Sequence, residues 1–365
     1  MTRLRALMIT PDFPPQAGGI QRVAHRLATG FSAVTSRVLT IDATGAREWD
    51  AGQDLDVRRV AAGRAHRLAI VRLDAGAVLQ ARRFRPDVVL AMHIVAGPAA
   101  AAIRRALSIP VVTYLHAKEV AASPRLARFA IRHSDRIVAV SQHTTALAAA
   151  AGADLRRVTV IPPGVDWHEL PTQPRLAAPT IVTVARIEDS YKGHDVMVRA
   201  LALVRARVPE ARWAIVGDGA LRAEIERLAE VEGVGDAIRL YGAVSDQRRD
   251  QLLDRAHVFA MPSRLPPNGG GEGFGIVYLE AGVHGLPVIA GRVGGALDAV
   301  VDGTTGLLVD PTDDRAVAQA LSRLLADRRY AARMGAAGSE RARAFAWPKI
   351  AGRVEQLLAE TAGRA

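Results

Sequence analysis

The sequence predicts an α/β protein built from two doubly wound parallel-sheet domains, and three observations carry that expectation. Short Val/Ile/Leu-rich runs alternate with longer amphipathic stretches along the whole chain. Continuous apolar strands separated by helices are the pattern of parallel sheets covered on both faces. The alternation falls into two series, split by PTQPRLAAP at residues 171–179, where three prolines make a stiff break. The length, 365 residues, suits two cores, because domains centre on about 150 residues.

Each element follows from its local pattern. In the first series the apolar runs RALMI, RVLTI, VVLAM, VVTY, RIVAV and TVI predict strands at 5–9, 37–41, 88–92, 111–114, 136–140 and 159–161. Helical spacing fills 20–31 and 144–150. In the second series strands are expected at 181–184, 214–216, 238–241, 258–261, 288–290 and 306–309, and a helix at about 275–284. The last segment, FAWPKIAGRVEQLLAE, reads as one helix with Pro348 in its first turn. Ile350, Val354, Leu357 and Leu358 share one face of it. The expected organisation is a domain over 1–170, the linker 171–179, a domain over 180–345, and a terminal helix over 346–365 packing back on the first domain. The two sheets would face each other across a cleft, with ligands at the carboxyl ends of their strands.

Composition narrows the function classes. With 49% hydrophobic and 23% charged residues the chain is globular, not disordered or fibrous. No cysteine is present, which excludes a disulfide scaffold, a Cys-ligated zinc and a thiol nucleophile. The net charge is +11, and only Lys118, Lys192 and Lys349 among the 48 basic residues are lysines. The excess is local: 23 basic and 13 acidic residues precede Pro171, against 25 and 24 from there on. Arg125, Arg128, Arg132 and Arg136 recur at helical spacing, and Arg58, Arg59, Arg64, Arg67, Arg72, Arg82, Arg83 and Arg85 crowd another stretch. Two readings stand: a solvated Arg-rich face, or a docking surface for anionic lipid or a phosphorylated acceptor. The N-terminal MTRLRALMITPDF has too short an apolar stretch for a signal peptide. The apolar region 88–103 is broken by His93, Gly97 and Pro98, short of the roughly 20 residues a spanning helix needs. A cytoplasmic protein is expected, at most peripheral on the inner face of the membrane, with no nucleic-acid partner.

Four loops have the residues for chemistry. PSRLPPNGGGEGFGIVYLEAGVHGLPVIAG, 262–291, follows a strand and opens a helix, so its glycines let backbone approach a ligand beside free N–H groups. Glu272 lies in that loop and Glu280 in the helix, where a carboxylate could grip a vicinal diol such as a ribose. The competing reading is a flexible glycine-rich loop with a surface glutamate. VARIEDSYKGHD, 184–195, places Arg186 and Lys192 after the first strand of the second series, two cations suited to a departing diphosphate or simply two solvated charges. Gly18-Gly19 before a helix is a turn suited to phosphate. His116 and Glu119, in TYLHAKE, end a first-series strand and would point into the cleft. WAIVGDG, 213–219, reads as a structural turn. Asp54-Leu55-Asp56 is a D-x-D, but it lies in a polar stretch without a preceding buried strand and reads as chance.

Taken in order, these segments resemble the retaining glycosyltransferases of family 4, which have the GT-B fold. The resemblance spans nearly the whole chain: Gly18-Gly19, HAKE at 116–119, VSQHTTALAAAAGADLRRVTVIPPGVD at 140–166, Arg186 with Lys192-Gly193, Glu272-x7-Glu280, and VGGALDAVVDGTTGLLVDP at 293–311. GGIQ and PPGVD are similar to phosphatidylinositol mannosyltransferases of actinobacterial type. The resemblance implies an acceptor-binding first domain and a donor-binding second domain that moves a hexose from a GDP- or UDP-sugar to an acceptor hydroxyl. It implies that Gly18 and Gly19 contact the donor phosphates, Arg186 and Lys192 hold the diphosphate, and Glu272, Gly273, Phe274 and Gly275 contact the sugar. Glu280 would bind the ribose and His116 would sit by the sugar; the catalytic set is His116, Arg186, Lys192 and Glu272. No cofactor and no metal are implied. The rivals are a GT-B epimerase or phosphorylase, and an NAD(P)-dependent oxidoreductase, for which the glycine fingerprint is poor.

Overall fold

The computed structural model describes residues 3–63, 66–170 and 174–363. The chain divides into two compact units, Met1–Gly164 with Trp347–Ala365, and Val165–Ala346. The first unit holds a seven-stranded sheet of β1 (Leu4–Ile9), β2 (Val34–Ile41), β3 (Asp56–Val60), β4 (Val88–Ala91), β5 (Val111–Leu115), β6 (Arg136–Ala139) and β7 (Val158–Val160), in the order β3-β2-β1-β4-β5-β6-β7. The second holds β8 (Thr180–Val184), β9 (Arg212–Val216), β10 (Ile238–Leu240), β11 (Val258–Met261), β12 (Val288–Gly291) and β13 (Gly306–Val309), in the order β10-β9-β8-β11-β12-β13. Every pairing is parallel.

Parallel pairing explains the unbroken apolar runs. Leu7, Ile9, Val89 and Ala91 are buried with Leu73 and Ala77 of the helix His66–Phe84 and with Ile103 of the helix Gly97–Leu107. In the second sheet Ile181, Trp213, Ile215 and Val258 are buried against the helices His194–Arg205 and Asp314–Ala326. The buried Trp213 indole is satisfied by Thr183 Oγ1 at 2.9 Å.

One strand escaped the sequence reading. DVRRV lacks an apolar run because β3 is an edge strand. Its first residue, Asp56, is held by Arg37 at 2.6 Å and by Arg58 at 2.9 Å.

The terminal helix, Trp347–Thr361, belongs to the first unit. Its nearly buried Glu355 accepts from Ala33 N–H at 2.6 Å, Val34 N–H at 3.0 Å and the Ser32 hydroxyl at 3.1 Å. The carboxylate thus satisfies the backbone donors where β2 begins, a charge-assisted arrangement. Of the proline-rich segment, residues 171–173 lie outside those described. Arg175 follows them and donates to the carbonyls of Leu253, Asp254, His284 and Gly285, which fastens the start of the second sheet.

Both sheets reverse strand order once, between β1 and β4 and between β8 and β11. At such a switch point adjacent loops diverge and leave a crevice beyond the carboxyl ends of the strands. The loops after β1, β4, β8 and β11 are therefore the ones positioned for ligands.

Asp74, on the helix His66–Phe84, has a carboxyl pushed up to about 6 by burial, with a hydrogen bond to the Ala99 backbone partly opposing the rise. Its Oδ1 has no partner among the described residues. A raised folded-state pKa means that ionisation costs stability as pH climbs through about 6, while below about pH 4 the cost is absent. Asp74→Asn should raise the thermal midpoint at pH 8, with the gain fading at pH 4. Unfolding scans across that range check it, and a pH-independent difference would refute it.

Candidate functional site

In the second unit the chemistry gathers on the loops after β8 and β11. A short 3-10 turn, Ser190–Lys192, ends at Gly193 with φ 80° and leads into the helix His194–Arg205. Lys192 Nζ donates to Glu272 Oε2, and both side chains are largely buried. Burial works against the Lys192 charge, but the Glu272 carboxylate, with Tyr191 and Asp189, holds its pKa above the ordinary range. The neighbouring His194 is pushed down to about 4 by burial and then by the Lys192 charge, so it is neutral at pH 7. Arg186 lies apart from this pair: it is exposed and meets Glu188 and Asp189, each at 3.6 Å.

Backbone packed on backbone holds these loops in place. A Cβ on Gly193 would lie 2.4 Å from the Pro262 carbonyl oxygen, and one on Gly291 would lie 1.9 Å from that of Ser263. Gly217 and Gly219 of the WAIVGDG turn press equally closely on Ala185 and Ile187, flanking Arg186. Gly295 packs on Gly273 and Phe274 and donates to the Glu272 carbonyl at 2.9 Å. Gly275, at φ 85°, precedes the helix Ile276–Val283 and lies against the Tyr278 ring. The Tyr278 hydroxyl in turn donates to the Met261 carbonyl at 2.8 Å, tying the helix to the end of β11.

Glu272, Gly273, Phe274 and Gly275 therefore form one continuous turn beside Lys192. Phe274 is buried, its ring 5.9 Å from that of Phe345. Glu280 lies half-buried on the same helix. Its charge faces Arg249, whose guanidinium is disfavoured by burial but held above the ordinary range by Glu280 and Asp250. Sequence reasoning missed Arg264. Its guanidinium bridges Asp195 at 2.9 Å and the Ser190 carbonyl at 2.9 Å, clamping the loop after β11 to the loop after β8. An arginine in an Arg-rich chain offered no signal of that role.

In the first unit Gly18 and Gly19 open the helix Gly19–Gly30, and nothing lies within 4 Å of where a Gly19 Cβ would be. His116 caps the helix Ala117–Ala122 and stacks on Tyr114, with ring centroids 5.4 Å apart. Its Nε2 is buried without a hydrogen-bond partner among the described residues. Burial pushes the His116 pKa down, with Glu119 opposing. Glu119, expected from the sequence to point into the cleft, turns into the sheet ends instead. It is buried, because its oxygens satisfy backbone donors: Oε1 accepts from His116 N–H at 3.0 Å and Oε2 from Ile94 N–H at 3.1 Å. His93 Nε2 completes the cluster, 2.8 Å from Glu119 Oε2. A 440 Å³ cavity beyond the ends of β1 to β4 is lined by Asp12, Gln16, Asp42, Gly63, His93 and Val95. A larger hollow of 630 Å³ lies at the opposite, amino ends of β11 and β12, beside Arg175, His257 and Pro287, and contains none of the groups above.

Two Rossmann-like parallel sheets and this loop set define a class, the glycosyltransferases of GT-B fold. Residues 17–169 match Glycosyltransferase Family 4 and residues 171–341 match Glycosyl transferases group 1. The chain is 33% identical to a GDP-mannose-dependent alpha-(1-6)-phosphatidylinositol monomannoside mannosyltransferase of Mycolicibacterium smegmatis, over 91% of this chain and 92% of that one. It is 27% identical to a glycogen synthase of Mycobacterium tuberculosis, over 97% and 94%. Among solved structures, HepE of Anabaena in complex with UDP and glucose superposes with a TM-score of 0.81 at 20% identity, covering 98% of this chain and all of that one. Sucrose-phosphate synthase of Thermosynechococcus elongatus gives 0.80 at 22% identity, covering both chains fully. The chain belongs to glycosyltransferase family 4 and is related to the actinobacterial phosphatidylinositol mannosyltransferases.

Gly295→Ala should displace the Glu272–Gly275 turn, since its Cβ would lie 2.3 Å from the Gly273 carbonyl oxygen. A loss of about 2 kcal/mol is expected. Gly352, with open space at its Cβ position and a place inside the terminal helix, is the control. Gly352→Ala should stabilise by about 0.5–1 kcal/mol through helix propensity. Denaturant unfolding of both variants checks the contrast.

Proposed function

We propose that this glycosyltransferase transfers a hexose from a nucleoside-diphosphate sugar to an acceptor hydroxyl with retention of anomeric configuration. The Lys192–Glu272 pair at the switch point of the second sheet is the observation that carries the reading. GDP-mannose is the first donor to test, because the 33% identical relative is named as GDP-mannose-dependent. The second unit is the donor side. Lys192, with the exposed Arg186 able to swing onto phosphate oxygens, meets the charge that builds on the departing diphosphate. The Glu272–Gly275 turn takes the sugar hydroxyls and Glu280 the ribose diol.

The first unit is the acceptor side, with His116 beside the sugar and the Gly18-Gly19 helix start offering N–H groups to phosphate. In a same-face displacement the bond from the anomeric carbon to the phosphate oxygen breaks as the bond to the acceptor oxygen forms. The acceptor proton passes to the departing phosphate oxygen, so no enzyme carboxylate is consumed as a nucleophile. The protein cations supply the electrostatic stabilisation, and no metal is required.

Lys192→Ala should lower kcat by about 10²-fold. Glu280→Gln should weaken donor Kd with a smaller effect on kcat, and a chelator should leave the wild-type rate unchanged. Steady-state kinetics on a panel of GDP-, UDP- and ADP-sugars, with calorimetry for Kd, test all three. Near-wild-type transfer by Lys192→Ala would sink the assignment.

We also propose that the first unit docks on an anionic membrane. No helix among the described residues is long and apolar enough to cross one. The helix His66–Phe84 exposes Leu68, Val71 and Leu79 alongside Arg67, Arg72, Arg82 and Arg83. The helix Pro124–Arg132 exposes Phe129 with Arg125, Arg128 and Arg132. Apolar side chains ringed by arginine suit the interface of an anionic leaflet; Arg64 lies outside the described residues. The relative that acts on a phosphatidylinositol monomannoside supports a lipid-linked acceptor. In co-sedimentation, vesicles containing phosphatidylglycerol should retain at least tenfold more protein than phosphatidylcholine vesicles, on the order of 1 kcal/mol per engaged arginine. Equal retention would discard the membrane reading.

A further inference from the structure

The carboxylate of Glu119 holds two strand ends of the first sheet together. Its Oε1 accepts from the His116 N–H at the end of β5, and its Oε2 accepts from the Ile94 N–H just beyond β4. The same Oε2 lies 2.8 Å from His93 Nε2. His93 is itself locked from its other ring nitrogen, where Nδ1 accepts from Val95 N–H at 3.1 Å. That bond requires an unprotonated Nδ1, so the ring sits as the Nε2–H form and donates to Glu119. Glu119 thus engages the His93 ring and the backbone of both His116 and Ile94. Two of its members bear on ligand space: His93 lines the 440 Å³ cavity, and His116 keeps a buried Nε2 with no partner among the described residues.

We infer that Glu119 is the positioning residue of the acceptor side, setting the orientation of His116 and the hydrogen-bonding form of His93. The inference rests on the glycosyl-transfer reading above and adds a residue to it. Truncating Glu119 would leave His116 N–H and Ile94 N–H without acceptors and free both loops to relax. A carboxylate is needed because one group must accept three donors arriving from two loops, which an amide oxygen alone cannot do. The charged and titratable groups facing His93 are Glu119 from the helix after β5, His116 just past the end of β5 and Asp12 from the loop after β1. Burial disfavours the His93 cation, but Glu119 holds the His93 pKa above its ordinary range. Removing the carboxylate therefore lowers it. The sign is definite: in Glu119→Gln the His93 ring loses its proton at lower pH than in the wild type.

Two readouts test the proposal. Imidazole NMR titration of the full-length protein, without substrates, should show the His93 midpoint falling in Glu119→Gln and the His116 ring resonances moving. Unmoved resonances would overturn the inference, whether or not any donor proves to be turned over. In the transfer assay, Glu119→Gln should lower kcat at least tenfold while donor Kd, to which Glu119 makes no direct contribution in this reading, changes less than twofold. The double variant His116→Ala/Glu119→Gln should lose less than the sum of the two single losses, because the part of the Glu119 role that acts through His116 is already gone. Additive losses, or a His116→Ala variant as fast as the wild type, would overturn it. A wild type that transfers from no nucleotide sugar would count against the glycosyl-transfer reading, and the NMR result would still decide the role of Glu119.

Discussion

The second unit depends on backbone lying directly on backbone at the carboxyl ends of its strands. Gly193 against Pro262, Gly217 against Ala185, Gly219 against Ile187, Gly291 against Ser263 and Gly295 against Gly273 bring neighbouring loops closer than any side chain would permit. Parallel strands emerge about 4.8 Å apart, and loops stacked at that spacing have no room for a Cβ between them. The result is a compact floor of polypeptide from which Lys192 and Glu272 rise side by side. The ion pair is a consequence of that packing. Its partners come from sequence positions far apart, and they meet because β8 and β11 are neighbours across the switch point.

Electrostatics divides the molecule in a similar way. In the second unit the cations near the ligand loops are paired: Lys192 with Glu272, Arg264 with Asp195, and Arg249 with Asp250. Such pairing keeps side chains ordered in a partly buried site, where an unpaired charge would be costly. In the first unit many arginines instead face solvent on two helices, next to exposed Leu68, Val71 and Phe129. Exposed apolar side chains beside solvated charge are the surface on which the proposed membrane docking rests.

Strands with buried faces were legible because burial imposes an apolar run that local sequence cannot hide; VVLA at β4 and VFAM at β11 are plain examples. The edge strand β3 was not, since DVRRV is solvated along one side and stabilised by ion pairs. Candidate groups on loops after strands were legible for a related reason: Gly18-Gly19, Glu272 and Lys192 stand beside glycines or helix starts, which mark backbone built for close approach. His93 and Arg264 carried no such mark. One looked like an interruption in an apolar run, the other like one arginine among many.

By itself the sequence determined the two-sheet architecture and the family to which the chain belongs. Periodicity and glycine placement are local properties, and the joint order of the motifs is visible without coordinates. Tertiary structure decided which of those residues meet. It set Lys192 on Glu272 and left Arg186 facing Glu188 and Asp189. It turned Glu119 inward, where two backbone N–H groups needed an acceptor, and brought His93 to it across 26 residues of chain. Partner choice of that kind depends on strand order and on unsatisfied donors at loop ends, and both exist only once the sheet has formed.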